Sequence, residues 1–168
     1  MAGIQGNIEA VAAGKEAVNI VTSETVFTAA LITMGGMGAT LPLNVMMMFS
    51  KAKKLKVMGR ICIGPSIFNI NEPLVFGAPI AFNPIMMVPF WLNSIAGPVI
   101  IWFSMRLDLL NIPYRMMQIG QIPAPFSSVM ITEDMRAVIV YIILFAVYYI
   151  IWLPFFKVYE VQCLNEGE

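Results

Sequence analysis

Histidine is absent from this chain, and charge is scarce: Lys and Arg number 10, Asp and Glu number 10, together 12% of 168 residues. Without imidazole there is no histidine general base, no His-type metal site and no Ser-His-Asp or Cys-His dyad. The two cysteines, Cys62 and Cys163, are far apart and form no CxxC, and Cys62 lies in an apolar stretch where a thiol acts as a small hydrophobe, so neither a disulfide nor a metal is expected. No Walker motif and no GxGxxG occurs, so no nucleotide or other cofactor is expected. Balanced charge gives no global field toward polyanions, which excludes a nucleic-acid partner. No basic region followed by an apolar run and a small-residue cleavage site opens the chain, its first cation being Lys15, so no signal peptide is expected. A soluble domain carries charge on about a quarter of its residues. With 59% hydrophobic residues and a mean hydropathy of +0.80, this chain points to the membrane.

The positions of charge and proline divide the chain into segments. Residues 1–24 mix charges with small residues (Gly3, Gly6, Glu9, Gly14, Lys15, Glu16, Glu24) and read as a loop or short surface helix. From Thr25 to Ser50 there is no charge, a run longer than the roughly 20 residues that cross a hydrocarbon core, but Gly35, Gly36, Gly38 and Pro42 interrupt it, which predicts a broken transmembrane segment over 25–50. Residues 51–60 hold half of the cations (Lys51, Lys53, Lys54, Lys56, Arg60) and no acid, and read as a short cytoplasmic loop. Between Ile61 and Met105 the one charge is Glu72, and prolines stand at 65, 73, 79, 84, 89 and 98, too many for one regular helix. Irregular backbone at membrane depth is tolerated where protein buries it or a wet cavity adjoins it. A re-entrant hairpin over 65–89 followed by a transmembrane helix over 90–105 is therefore expected. Residues 106–136 are a polar connection (Asp108, Arg115, Gln118, Gln121, Glu133, Asp134) with a turn-like Ile-Pro-Ala-Pro at 122–125. Residues 137–156 form an uncharged transmembrane helix ending in aromatic residues beside Lys157, and 157–168 read as a solvated tail. The fold class is all-α, polytopic and membrane-integral, with lipid as a partner.

Glu72 is the first candidate for chemistry. A lone carboxylate in an apolar segment is expensive and normally faces a cavity or a partner. Asn69 and Asn71 supply amide donors and acceptors within reach, and carboxylate with amides suits a hydroxyl-rich ligand, a sugar ahead of an ion. The alternative is structural: Glu72 caps a half-helix or pairs with Arg106 or Arg115. The run Gly35-Gly36-Met37-Gly38-Ala39-Thr40 either lets backbone approach a ligand, with Gly38 and Thr40 as contacts, or lets helices pack closely. The 14 methionines read as apolar filler rather than metal ligands. Glu133 and Asp134 fit the first turn of the helix beyond them. The basic run at 51–60 is first a topology signal, with an acidic protein or lipid headgroups as lesser readings.

Phe68-Asn69-Ile70-Asn71-Glu72-Pro73, followed by Phe76-Gly77, Pro79, Asn83-Pro84 and Pro89-Phe90, resembles the signature of the sugar-translocating C component of enzyme II in the bacterial phosphotransferase system, lactose/cellobiose/diacetylchitobiose family. Gly35-Gly36-Met37-Gly38-Ala39-Thr40-Leu41 is similar to that family's Gly-Gly-Ser-Gly-Ala-Thr-Leu with Met for Ser. Lys51 to Lys54 and the stretch Tyr149 to Lys157 add to the likeness, which covers residues 16–160. The resemblance implies an inner-membrane permease subunit that binds a β-linked disaccharide, cellobiose first, then diacetylchitobiose or lactose. It presents the sugar 6-hydroxyl to a phosphocysteine of the B component, its protein partner. It implies that Glu72 holds that hydroxyl and helps remove its proton, with desolvation raising its pKa, and that Asn69 and Asn71 shape the site. It further implies a homodimer.

Two departures qualify the likeness. Family members are longer and carry a histidine in a Gly-Ile-His-Gly loop, which Gly3-Ile4-Gln5-Gly6 imitates only superficially. The chain therefore resembles the C-terminal part of such a transporter, associating with a missing N-terminal half. Where the family has Pro-Trp-Thr-Thr-Pro, this sequence has Pro123-Ala124-Pro125-Phe126, so Phe126 is the candidate to replace the aromatic missing at Ala124. The phosphoryl donor lies on another component, so the chain need not be an enzyme by itself. The alternative functions are a non-transporting membrane remnant and an ion-coupled symporter using Glu72 as proton carrier.

Overall fold

The computed structural model of the chain describes residues 2–22, 25, 32–78, 80–116 and 122–165. Glu24, Pro79, Gln118, Gln121 and the last acids of the tail lie outside the described residues, as do positions 26–31 of the charge-free run. The described residues form helices without a strand: α1 (Ala2–Ala12), α2 (Leu41–Met48), α3 (Lys53–Ile67), α4 (Glu72–Gly77), a 3-10 turn (Ile80–Phe82), α5 (Pro84–Arg106), α6 (Ala124–Thr132) and α7 (Ala137–Asn165). Two of them, α5 and α7, are long and apolar enough to cross a bilayer.

Prolines mark where these helices start. Pro73, Pro84 and Pro125 stand in the first turns of α4, α5 and α6, where the missing N–H costs nothing because first-turn donors have no intrahelical partner. That accounts for two differences from the sequence expectation. The helix expected to begin at Phe90 begins at Pro84, with the Asn83 side chain accepting from the Ile85 N–H (3.0 Å). The turn-like Ile-Pro-Ala-Pro opens α6 inside what read as a polar connection. The basic stretch expected as a loop lies mostly on α3, because Leu55, Gly59, Cys62 and Ser66 recur at helical spacing and bury one face while lysines fill the other. The segment expected as a solvated tail continues α7 to Asn165, since Tyr159 is buried and its hydroxyl donates to the Ala78 carbonyl (3.2 Å). Near the other end of α7, Asp134 alone serves the helix start: its Oδ1 accepts from the Arg136 N–H (2.8 Å). The Arg136 guanidinium bonded to it holds its carboxyl below the usual carboxylate range. Glu133 instead ends α6 at φ 51° and pairs with Arg115 (3.0 Å).

α7 serves as a ruler for everything packed on it. Its buried face is Ala137, Val140, Leu144, Tyr148, Trp152, Phe156 and Tyr159, spaced three or four apart. The polar-tipped aromatics on that face satisfy carbonyls of irregular backbone that has no ladder of its own: Tyr148 donates to Ile32 O (3.2 Å), Trp152 Nε1 to Ala39 O (3.0 Å) and Tyr159 to Ala78 O. Arg136, just before α7, reaches Asp108 O (3.0 Å) beyond the end of α5, so α5 and α7 run antiparallel. Two apolar clusters form against this face. Met34, Ile101, Met105, Val140 and Leu144 pack toward the Arg136 end; Leu43, Met47, Leu55, Leu74, Met86 and Phe156 pack toward the Lys157 end. The buried methionines are the apolar filler expected of them.

These aromatic-to-carbonyl bonds can be tested directly. Tyr148→Phe keeps the ring and removes only the donor to Ile32 O, leaving a buried carbonyl unpaired. Unfolding in detergent should show a loss of about 1–3 kcal/mol. A melting temperature equal to that of the parent would show that the hydroxyl satisfies nothing.

Candidate functional site

Two irregular segments close on each other at the middle of the fold. The first is the loop 35–40, where Gly35 (φ 75°), Gly36 (φ 94°), Gly38 (φ 76°) and Ala39 (φ 49°) take left-handed backbone. The second is the tip between α3 and α4, where Asn69 is left-handed (φ 61°). Asn69 Oδ1 accepts from the Gly35 N–H (3.0 Å), and Asn71 Nδ2 donates to Met37 O (2.8 Å) and to Thr40 Oγ (3.2 Å). The Thr40 hydroxyl in turn donates to Gly35 O (2.6 Å). A Cβ on Gly36 would stand 2.5 Å from Asn71 Cγ, and one on Gly38 would meet the Phe90 ring, so the glycines are required by close approach as well as by φ.

The clasp reaches a third segment. Asn69 Nδ2 donates to Ile122 O (3.3 Å), which fixes the entry to α6 against the same tip. Phe126, in the first turn of α6, is 69% exposed beside it. The structure thus brings Asn69, Asn71 and Thr40 into one hydrogen-bonded unit, with Gly38 in the same loop, Glu72 next in sequence to it and Phe126 three residues beyond Pro123 on the segment that Ile122 ties to it. Gly38, Thr40 and Asn71 are buried. Their polar groups hold backbone in place and so set the position of the neighbouring carboxylate.

That carboxylate belongs to Glu72, the first residue of α4, which is exposed to solvent. Arg115 is paired with Glu133, and Glu72 has no ion pair among the described residues, so the pairing alternative is not what is seen. Its place in a helix first turn does favour a carboxylate. The expected desolvation is not provided by the described residues. Depth can be read along α7. The clasp is level with Trp152, about 22 Å along the helix from Ala137, while Lys157 stands at about 30 Å, one hydrocarbon thickness. α4 then returns to Ala78 at the level of Tyr159, so α3, the tip and α4 form a hairpin whose two ends lie toward the Lys157 end of α7.

Gly3-Ile4-Gln5-Gly6 is the first turn of α1 rather than a loop, and Asn7 Nδ2 ties α1 to Pro113 O (2.9 Å) near the Arg136 end. A cavity of about 490 Å³ at that end is bounded by Glu16, Asp108, Asn111, Tyr114, Glu133 and Arg136; Glu72 is not among its walls. There the hydrogen bond from Tyr114 to Glu133 (2.7 Å) pushes the phenol pKa up. Sequence reasoning missed Asn93, fully buried on α5 with its Nδ2 turned to Gly38 O (3.5 Å) and its Oδ1 without a partner among the described residues, and the carbonyl-binding role of Trp152. An asparagine inside an apolar span was the available signal for the first. For the second there was none, because an interfacial anchor and a buried donor look alike in sequence.

A family model described as "Phosphotransferase system, EIIC" matches residues 2–94. The lactose-specific EIICB component of Staphylococcus aureus (strain N315) is 36% identical over 99% of this chain and 29% of its own length, and that of Staphylococcus epidermidis is 36% identical over 98% and 28%. Among solved structures, the transporter ChbC, the IIC component of the N,N'-diacetylchitobiose-specific phosphotransferase system, superposes with a TM-score of 0.88 at 33% identity, over 99% of this chain and 39% of that one. The chain spans less than a third of the length of these curated relatives.

Proposed function

The chain belongs to the phosphotransferase system EIIC family, and from that premise we propose that it forms the sugar-handling part of a membrane permease that phosphorylates a disaccharide as it enters the cell. The observation that carries the reading is the clasp. Three segments are locked together by Asn69 and Asn71, and a carboxylate with no ion pair among the described residues follows the lock directly in sequence. The face at the Lys157 end bears six of the ten cations, Lys51, Lys53, Lys54, Lys56, Arg60 and Lys157, so the positive-inside rule orients it to the cytoplasm.

In the proposed reaction Glu72 accepts a hydrogen bond from the sugar 6-hydroxyl. As that oxygen attacks the phosphorus of a phosphocysteine on the B component, the S–P bond breaks and the hydroxyl proton passes to Glu72. Phe126, and with it the exposed Phe76 of α4, supplies apolar faces for sugar rings. Gly38 and Thr40 act behind this surface, as supports. The substrate class is a β-linked disaccharide: relatives are named for lactose and for diacetylchitobiose, and cellobiose shares their size and linkage type. The exposed isoleucines 139, 142, 143 and 150 of α7 face lipid, a second copy, or the remainder of a longer permease.

The test is uptake into vesicles bearing the chain, with B component charged from phosphoenolpyruvate. Phosphorylated disaccharide should accumulate inside, and competition among the three sugars ranks them. Accumulation of unmodified sugar driven by an ion gradient would identify a symporter instead. Absence of any uptake would leave only the non-transporting remnant.

A further inference from the structure

A second built concavity lies at the Lys157 end, away from the clasp. It has a volume of about 220 Å³ and is bounded by Phe49, Lys51, Tyr149, Leu153, Lys157 and Glu160, among others. Tyr149, Leu153 and Lys157 are four residues apart, so they form one stripe along α7 with the ammonium at its top and apolar surface descending about 12 Å beneath it. Lys51 closes the top from the chain between α2 and α3. The single acid, Glu160, is engaged by the Ser50–Lys51 corner: its Oε1 accepts from the Lys51 backbone N–H (2.7 Å) and from the Ser50 hydroxyl. Neither Lys51 nor Lys157 has an ion pair among the described residues.

We propose that this concavity is a binding site for an anionic glycerophospholipid, with the phosphodiester between Lys51 and Lys157 and an acyl chain along Tyr149 and Leu153. The depth of the site supports that occupant. Lys157 stands one hydrocarbon thickness from Ala137, which puts both ammonium groups in the headgroup layer and the apolar stripe in the acyl layer. A soluble phosphate compound would use the cations and leave the stripe empty; an acidic protein would have no reason to prefer the stripe. Two cations at the surface, each drawing an anionic headgroup, give a preference of about ten-fold or more over a zwitterionic lipid. The proposal needs the chain to sit in a bilayer but is independent of what sugar it carries, so failure of either leaves the other standing.

The experiment is native mass spectrometry on the delipidated chain, titrated with an equimolar mixture of phosphatidylglycerol and phosphatidylcholine of matched chain length. The parent should retain phosphatidylglycerol about ten-fold in excess. Lys51→Gln and Lys157→Gln should each lower that preference several-fold and together abolish it, with Lys15→Gln as the neutral control. Leu153→Trp, which fills the stripe, should reduce retention of both lipids. All these variants should melt at the parent temperature. Equal retention of the two lipids by the parent would overturn the site, as would a preference that survives the double substitution. Displacement of lipid by millimolar inorganic phosphate would show that the acyl stripe contributes nothing. Loss of B-component binding in the double variant with lipid preference unchanged would assign the two lysines to a protein partner.

Discussion

Glu72→Gln is expected to lower phosphoryl transfer to a bound disaccharide by on the order of 100-fold or more, the range over which a positioned general base acts. The substitution is nearly isosteric, and residue 72 is exposed, so no packing is lost. It removes a favourable interaction with the first turn of α4, worth about 0.3–1 kcal/mol, too little to unfold the chain. The amide can still accept a hydrogen bond from the sugar hydroxyl but cannot take its proton. Single-turnover transfer from phosphorylated B component should therefore fall far more than disaccharide affinity does. This pattern separates a base from a mere contact, because losing a contact weakens binding and rate together. Transfer by the Gln variant within about threefold of the parent would sink the assignment. A large drop in melting temperature would instead mark Glu72 as a structural cap.

How much of this was legible in the sequence depends on which physical signal each part leaves. The scarcity of charge identified a membrane protein, and the isolation of Glu72 in a long apolar stretch picked out the residue beside the clasp. The family signature around Asn69 and Asn71 pointed to the same place. The job of these asparagines was not legible. Amides just ahead of a lone carboxylate read as ligands, yet both side chains are bonded to backbone of a loop more than thirty residues upstream, a pairing that local spacing does not encode. Helix boundaries erred where the sequence was read too locally. Lysines at 51–60 look like a loop until the spacing of Leu55, Gly59 and Cys62 shows one buried face, and Lys157 looks like a helix end until Tyr159 finds its carbonyl. Proline was a better guide than expected, in the opposite sense: Pro73 and Pro84 start helices, and Pro65, Pro89 and Pro98 are absorbed inside α3 and α5.

The second large effect is expected at Gly36, and it tests the clasp itself. At φ 94° an L residue is strained by about 1–3 kcal/mol, and a Cβ there would stand 2.5 Å from Asn71 Cγ and 2.7 Å from both of its amide atoms, adding roughly 1–3 kcal/mol of overpacking. Gly36→Ala should therefore destabilise the chain by about 2–6 kcal/mol, a large part of the stability of an ordinary domain. The two contributions can be told apart. Asn71→Ala removes the side chain that the new methyl strikes but leaves the backbone strain untouched, at the cost of the bonds to Met37 O and Thr40 Oγ. The double variant should then be more stable than the sum of the singles predicts, by about 1–3 kcal/mol, measured as a coupling energy in detergent unfolding. Simple additivity would mean that loop and tip do not touch as described. If the coupling appears, the same cycle read in phosphoryl transfer addresses function. Loosening the clasp displaces Glu72 without altering it, so Asn71→Ala should lower transfer while Glu72→Gln in that background lowers it by less than it does in the parent, because a displaced base has less catalysis left to lose.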